Sequence, residues 1–401
     1  MPAVITISDI QTFVTQPQRE RLVIVKVTTS EPGLYGLGCA TFTQRAFAVQ
    51  AALERHFKQL LIGRDVSRIE DIWQTARANG YWRNGPVLNN ALSGVDQALW
   101  DILGKRAGLP LYMLLGGKCR EAVATYSHAD GAEVSEVLDN AQALLSEGYR
   151  HVRLQLRQYG GGVPDHPRPQ GALSGAYYDP RKYARQTLRL LEAARQLLPE
   201  SVELIHDVHE RLPASDAVQF ARDVEQFRLF FLEDPLPPEQ LDWLVRLRAT
   251  STTPIALGEL FNHPLEWQQV IDNRWVDFIR MHISQMGGLS PARRVAAQAA
   301  AHGIRTAWHG PADTSPVGHM ANLHLELSTP NFGIHEWCRF PDHVYEMFPG
   351  LPRAQAGYLY PNDAPGLGID FVPELAAKYP AQDYVEEWTQ ARLPDGSPAL
   401  P

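Results

Sequence analysis

The 401-residue sequence has only three cysteines, Cys39, Cys119 and Cys338, far apart and with no CxxC pair. That scattered odd set argues against a disulfide framework or a cysteine-held zinc and suits a reducing cytosol. Basic residues are not in excess, since 37 Lys and Arg stand against 45 Asp and Glu, for a net charge of −8. A nucleic-acid binder needs a basic field to meet phosphates, so the balance argues against that class. No apolar run approaches the ~18 residues of a membrane helix. The opening MPAVITISDIQTF lacks the basic and apolar regions of a secretory signal. No glycine-rich phosphate loop follows an early strand, which ranks an open dinucleotide-binding sheet below other α/β layouts.

What is present divides into two rhythms. Residues 3–14 and 22–29 read as strands rich in Val, Ile and Thr, with Gly33, Gly36 and Gly38 marking a hairpin turn after the second. From 46 to 115 the pattern is helical. Leu92, Val95, Leu99 and Leu103 recur near i, i+3, i+4 spacing, and Gly108 and Pro110 end that helix. The first 117 residues therefore read as an α+β unit. From 120 onward short apolar runs alternate with amphipathic helices. The candidate strands are 122–128, 151–156, 202–207, 229–234, 254–259, 276–281, 304–309 and 332–337. Eight strands with helical crossovers predict a parallel (β/α) barrel. Residues 346–401 leave that barrel for the N-terminal unit, so the expected domains are 1–117, 118–345 and 346–401. The irregular stretch 158–180 is expected to be a lid over the site.

Three successive candidate strands present an acid: VELIHD ends on Asp207, LFFLED carries Glu233, and PIALGE ends on Glu259. Glu233 follows Asp207 by 26 residues, and Glu259 follows Glu233 by 26. One βα unit needs about that length, so the spacing puts the three acids at equivalent heights on the barrel's C-terminal mouth. Three carboxylates facing one point repel, and a hard divalent cation such as Mg²⁺ removes the repulsion. Any one of them alone would more simply cap a helix or pair with an Arg. Asp234 and Glu210 are neighbours of the set, and strand alternation turns Asp234 to the opposite face. His209, two residues beyond Asp207, is expected on Asp207's side of an extended strand.

Several long stretches carry a resemblance: YWRNGPVLNNALSGVDQALWDILGKRAGLPLYMLLGG, HDVHERL, FFLEDPLPPE, PIALGELFN, HGPADTSPVGHMA and PNFGIHEW. Through them the chain resembles the enolase superfamily and, within it, the mannonate dehydratase group of sugar-acid dehydratases. The resemblance implies a modified TIM barrel, (β/α)7β, with an α+β N-terminal capping domain. It implies one Mg²⁺ held by Asp207, Glu233 and Glu259, and loss of the proton α to a carboxylate through an ene-diolate. His209 then acts as general acid or base. Arg153 and Tyr159 match the group's Arg and loop Tyr by type, a close guanidinium favouring the phenolate. His128, His309 and Glu336 match substrate contacts, Arg280 and Asp313 are further candidates with a structural ion pair as the alternative, Thr43 stands at the place of a polar substrate contact, and symmetric homo-oligomers are usual in the family.

Four departures accompany the likeness. The interval from Arg153 to Tyr159 is only 6 residues, Thr43 stands where the group commonly has Asn, Pro311 follows His-Gly, and the tail reads DGSPALP. His282 occupies the place of the aspartate that pairs with the seventh-strand His in racemase-like relatives. The expected activity is Mg²⁺-dependent dehydration of an aldonate, D-mannonate or D-gluconate, to a 2-keto-3-deoxy acid. Racemisation or epimerisation on the same metal site, and a weakly catalytic sugar-acid-binding regulator, stay open as alternatives.

Overall fold

The structure is a computed structural model and describes residues 4–157 and 168–401. Strands β1 (Ile7–Thr15), β2 (Leu22–Thr29) and β3 (Tyr35–Cys39) form an antiparallel sheet in that order. The two-residue period of β2 serves two cores at once. Val23, Val25 and Val27 pack with the N-terminal helices, while Leu22 and Ile24 pack with the barrel. Gly33 turns the chain with φ +81°, but Gly36 and Gly38 lie inside β3 rather than in the turn. A Cβ on them would come within 2.0 Å of the Ala98 carbonyl oxygen or 1.9 Å of that of Gly94. They are glycines because the helix Pro86–Ala107 lies directly on the strand.

The barrel strands are β4 (Val123–Gly131), β5 (His151–Leu156), then, after the small outlying β6 (Ala176–Tyr177), β7 (Glu203–Asp207), β8 (Phe231–Glu233), β9 (Ile255–Leu257), β10 (Phe278–Ile279), β11 (Arg305–Thr306) and β12 (His335–Glu336). All eight expected strands are present, most of them shorter than the apolar runs suggested. The sheet runs β11-β10-β9-β8-β7-β5-β4-β12, all pairs on this path being parallel. Its two ends meet through a parallel bridge from Thr306 to Phe332. A helix follows each of the first seven strands, and β13 (Tyr358–Leu359) adds an antiparallel edge to β4. This is the enolase-like α/β architecture.

The chain after the barrel returns to the N-terminal sheet. Thr15 bridges Pro380, and the Gln16 N–H donates to the Tyr379 carbonyl at 2.8 Å. Further on, β14 (Ala391–Arg392) pairs with β6. Of the stretch expected to be a lid, residues 158–167 lie outside the described residues, and the remainder holds β6. No helix among the described residues is long and apolar enough to cross a membrane. The three cysteines are unpaired.

Candidate active site

The barrel interior is closed by Tyr126, Ile205, Phe231, Ala256, Phe278, Ala307 and Ile334. Two residues beyond them on the same face come His128, Asp207, Glu233, Arg280, His309 and Glu336. An apolar floor thus sits one pleat beneath a ring of charged side chains. On β9 the equivalent position is Gly258, at φ +134°, and Glu259 enters from the next residue.

This corrects the expectation that the three acids share one height. Asp207 and Glu233 are cross-strand partners, but Glu233 pairs with Ala256, so Glu259 lies three residues further along its chain. Equal spacing in sequence did not give equal register, because the Gly258 turn absorbs the extra length. Two arguments from alternation also give way to left-handed backbone. His209 has φ +50° and its N–H donates to Asp207 Oδ1 at 2.8 Å, so a turn, not an extended strand, aims its ring. Asp234 has φ +36°, which brings its carboxylate beside Glu233 and Glu259 instead of turning it away.

Arg280 is fully buried at the centre. It lies 3.0 Å from Glu233 Oε1 and 2.8 Å from Glu259 Oε2, and it also pairs with Glu336. Arg153 Nη1 lies 3.3 Å from Asp207 Oδ2 and 4.0 Å from Glu233 Oε1. His128 bridges Arg153 (3.1 Å) and Glu336 (2.7 Å). His309 Nδ1 lies 3.0 Å from Glu259 Oε2, and its Nε2 lies 3.1 Å from Asp313 Oδ1. Burial opposes charge on His309, yet the Glu259 and Asp313 carboxylates raise its pKa well above the usual imidazole value. Burial also opposes charge on Glu259, and His309, Arg280 and His209 overcome it and hold the carboxyl below its ordinary range. Burial pushes Glu210 up to about 9, with Asp234 and Glu259 adding to the effect.

Glu233 tests whether a cation fits. It is fully buried, and neither oxygen accepts a hydrogen bond among the described residues, although Arg280 is close. Burial lifts its pKa well above normal. A buried carboxylate without donors suits an oxygen-seeking cation. Glu233, Asp234 and Glu259 place ligand oxygens within 4.8 Å of one another; Asp207, expected as the third ligand, is the cross-strand partner of Glu233 but is not in that compact group, its oxygens facing the His209 N–H and Arg153. His282, His309 and Asp313 make a second compact group. There, His282 Nδ1 accepts the Ser284 N–H at 3.1 Å, so Nε2 carries the proton and offers no lone pair to a metal.

A cavity of about 230 Å³ opens onto this ring. Of the residues expected from sequence, His128, Arg153, His209, Glu259, His309, Asp313 and Thr43 line it. Asp207, Glu233, Arg280 and Glu336 lie buried beside it as the charged ring, and Tyr159 lies outside the described residues. The Thr43 hydroxyl donates to the Arg21 carbonyl at 3.2 Å. His209 Nδ1 is 3.0 Å from the backbone oxygen of Pro401, which can only accept, so Nε2 is the atom turned to Glu259 Oε1, 3.8 Å away.

Sequence reasoning missed Asp130 and Gln155, although alternation from His128 and Arg153 points to both. Gln155 is buried at the cavity wall, and both its amide atoms lack hydrogen-bond partners among the described residues. Arg19, Glu20, Gln44, Glu386 and Trp388 also line the cavity. No local pattern marks them, because the N-terminal unit and the tail meet there only in the fold. Arg19 pairs with Glu386 at 3.2 Å, and the Trp388 ring lies 6.1 Å from that of His209.

Two family models match this chain. Residues 2–116 match the mandelate racemase / muconate lactonizing enzyme N-terminal domain, and residues 136–375 match the enolase C-terminal domain-like family. Among curated proteins, the D-galactonate dehydratase family member RspA of Pantoea ananatis is 51% identical over 98% of both chains. A D-galactonate dehydratase family member of Enterococcus gallinarum is 49% identical over 100% of both. A crystal structure of an enolase from Pantoea ananatis with bound D-gluconate and Mg superposes with a TM-score of 0.97, at 50% identity, over 99% of this chain and 100% of that one.

Proposed function

The chain belongs to the enolase superfamily, among the D-galactonate dehydratase family members, and from that premise we propose that it dehydrates D-gluconate or D-mannonate with Mg²⁺. One observation carries this reading. The buried carboxylates Asp207 and Glu233 and the half-buried Glu259 meet His209 and the Gln155 amide, which has no hydrogen-bond partner among the described residues, around a single cavity. A polyhydroxylated acid matches that mixture of charge and unfilled polar groups.

Asp207, Glu233 and Glu259 hold the metal in this reading, with Asp234 beside them. When bound, Mg²⁺ stabilises the negative charge that develops on the substrate carboxylate as C2 loses its proton. Tyr159, matched with Arg153 to the group's Tyr and Arg by residue type, takes that proton. His209 gives a proton from Nε2 to the departing 3-hydroxyl, with Nδ1–H held by the Pro401 backbone oxygen. The resulting enol becomes the 2-keto-3-deoxy acid. His128, His309, Asp313, Arg280, Glu336 and Thr43 orient the substrate. Residues 1–117 and 346–401 form the capping side, and 118–345 the barrel. The compartment is the reducing cytosol, which three unpaired cysteines suit.

The test is an aldonate panel containing D-gluconate, D-mannonate and D-galactonate, with Mg²⁺ or with a chelator. Loss of water from D-gluconate or D-mannonate, abolished by the chelator, is expected; no dehydration of any member overturns the reading. One observation favours a second activity: His209 and His309 both approach Glu259, at 3.8 and 3.0 Å, so two proton carriers flank one carboxylate. Epimerisation at C2 would show as deuterium uptake there without loss of water.

A further inference from the structure

Two of the inward acids share a local sequence. Ile205-His206-Asp207 ends β7, and Ile334-His335-Glu336 ends at β12. In each triplet the isoleucine joins the barrel floor, the acid joins the charged ring, and the histidine points outward between sheet and helix. Both histidines are fully buried.

Each outward histidine is held on both ring nitrogens. His206 Nδ1 lies 2.8 Å from the Leu154 carbonyl oxygen, which can only accept, so Nδ1 carries the proton. Nε2 then accepts from the Tyr183 hydroxyl at 2.7 Å. The same hydroxyl lies 3.1 Å from the backbone oxygen of Asp207 itself. Tyr183 belongs to the helix Pro180–Leu197 that packs behind these strands. At the other triplet, His335 Nδ1 lies 2.6 Å from Glu326 Oε2 and Nε2 lies 3.2 Å from His319 Nδ1. Glu326 and His319 are both on the helix Pro316–Ser328.

The backbone ladder ends within a residue of each acid, at the Val208 N–H to Glu233 carbonyl bond and the Trp337 N–H to Tyr126 carbonyl bond. β12 is two residues long, and β7 ends at the acid. A slip of one residue would turn the acid outward and the histidine inward. We infer that His206 and His335 are positioning residues, each fixing the register of an inward acid by bonding to a helix: Tyr183 for Asp207, and Glu326 with His319 for Glu336. This rests on the reading of Asp207 as a metal ligand and Glu336 as a substrate contact.

The two braces serve different partners, so their loss should separate. Tyr183→Phe is expected to weaken Mg²⁺ binding about tenfold by calorimetry, the scale seen when a partner behind a metal ligand is removed. At saturating Mg²⁺ its KM should stay near that of the unaltered protein. Glu326→Leu should do the reverse, raising KM for the aldonate about tenfold with Mg²⁺ affinity unchanged, and Glu326→Gln should restore KM. His206→Asn and His319→Phe break the same contacts from the other side and replace either variant that does not fold. Equal changes in both parameters for both variants, or no change in either, overturn the inference. If the unaltered chain itself binds no Mg²⁺, the metal reading falls and this falls with it; if it binds and the variants match it, only the positioning role falls.

Discussion

Two fully buried carboxylates sit in different regions of this molecule and are treated differently. Asp101 lies at the seam between the N-terminal sheet, the long helix and the returning tail. It accepts from the backbone N–H of Leu37 (2.9 Å) and Leu367 (2.8 Å) and from Lys105 Nζ (2.7 Å). Glu233 lies in the barrel mouth, and its carboxylate accepts no hydrogen bond among the described residues although the Arg280 guanidinium lies 3.0 Å away. Burial pushes both pKa values up, so burial alone does not distinguish a structural acid from a functional one. Satisfaction does. The seam acid joins three chain segments, and the mouth acid keeps its oxygens for something else.

The sharpest break in that comparison is Glu233→Gln. Aldonate dehydration should fall about thousandfold, of order 4 kcal/mol in the barrier. Mg²⁺ should no longer raise the melting temperature, as a ligand of the native state otherwise does. In chelator the loss of melting temperature should be small, since Arg280 keeps Glu259 and Glu336 as partners when the Glu233 charge is removed. A large loss of Tm in chelator would make Glu233 structural. Asp101→Ala is the counterpart. It strands two buried N–H groups and the Lys105 ammonium, which should cost about 3 kcal/mol in urea unfolding. The folded fraction should keep its kcat, and a lost kcat would erase the distinction between seam and mouth.

The sequence revealed the mouth better than the seam, for a physical reason. A barrel repeats one unit, so acids at the ends of successive strands can be recognised by spacing. That reached Asp207 and Glu233 in their true register. It misjudged the height of Glu259, because Gly258 changes the path of the chain only in three dimensions. Alternation likewise failed at His209 and Asp234, whose positive φ values follow from the turns that end their strands. The cavity walls from Arg19, Gln44 and Trp388 left no periodic trace, since loops and tail obey no period. The seam was opaque for the same reason. Gly36 and Gly38 looked like turn residues until the helix resting on them gave their role.

The smallest effect separates the regions by pH. Asp96, on the helix Pro86–Ala107, is buried against the barrel helix Leu289–Ala301 and accepts from the Ser290 N–H (2.8 Å) and Oγ (2.5 Å). Burial pushes its pKa up to about 7, more than the Ser290 hydrogen bonds and Arg294 bring it down. In the unfolded chain an Asp titrates near ~3.9. Below that value both states hold the proton, and Asp96 adds no pH dependence. Between there and pH ~7 the native state holds the proton and the unfolded state has released it. Native stability therefore falls as pH rises across this window, by about 1.4 kcal/mol per unit, or about 2 kcal/mol from pH 5 to 6.5. Asp96→Asn removes this proton linkage, so its urea-unfolding stability should lose less over the same interval by that amount. Its kcat profile against pH should stay that of the unaltered enzyme, since Asp96 lies at the seam and not on the cavity wall. Parallel stability curves would show that Asp96 does not titrate there; a shifted kcat profile would show that the seam reaches the chemistry.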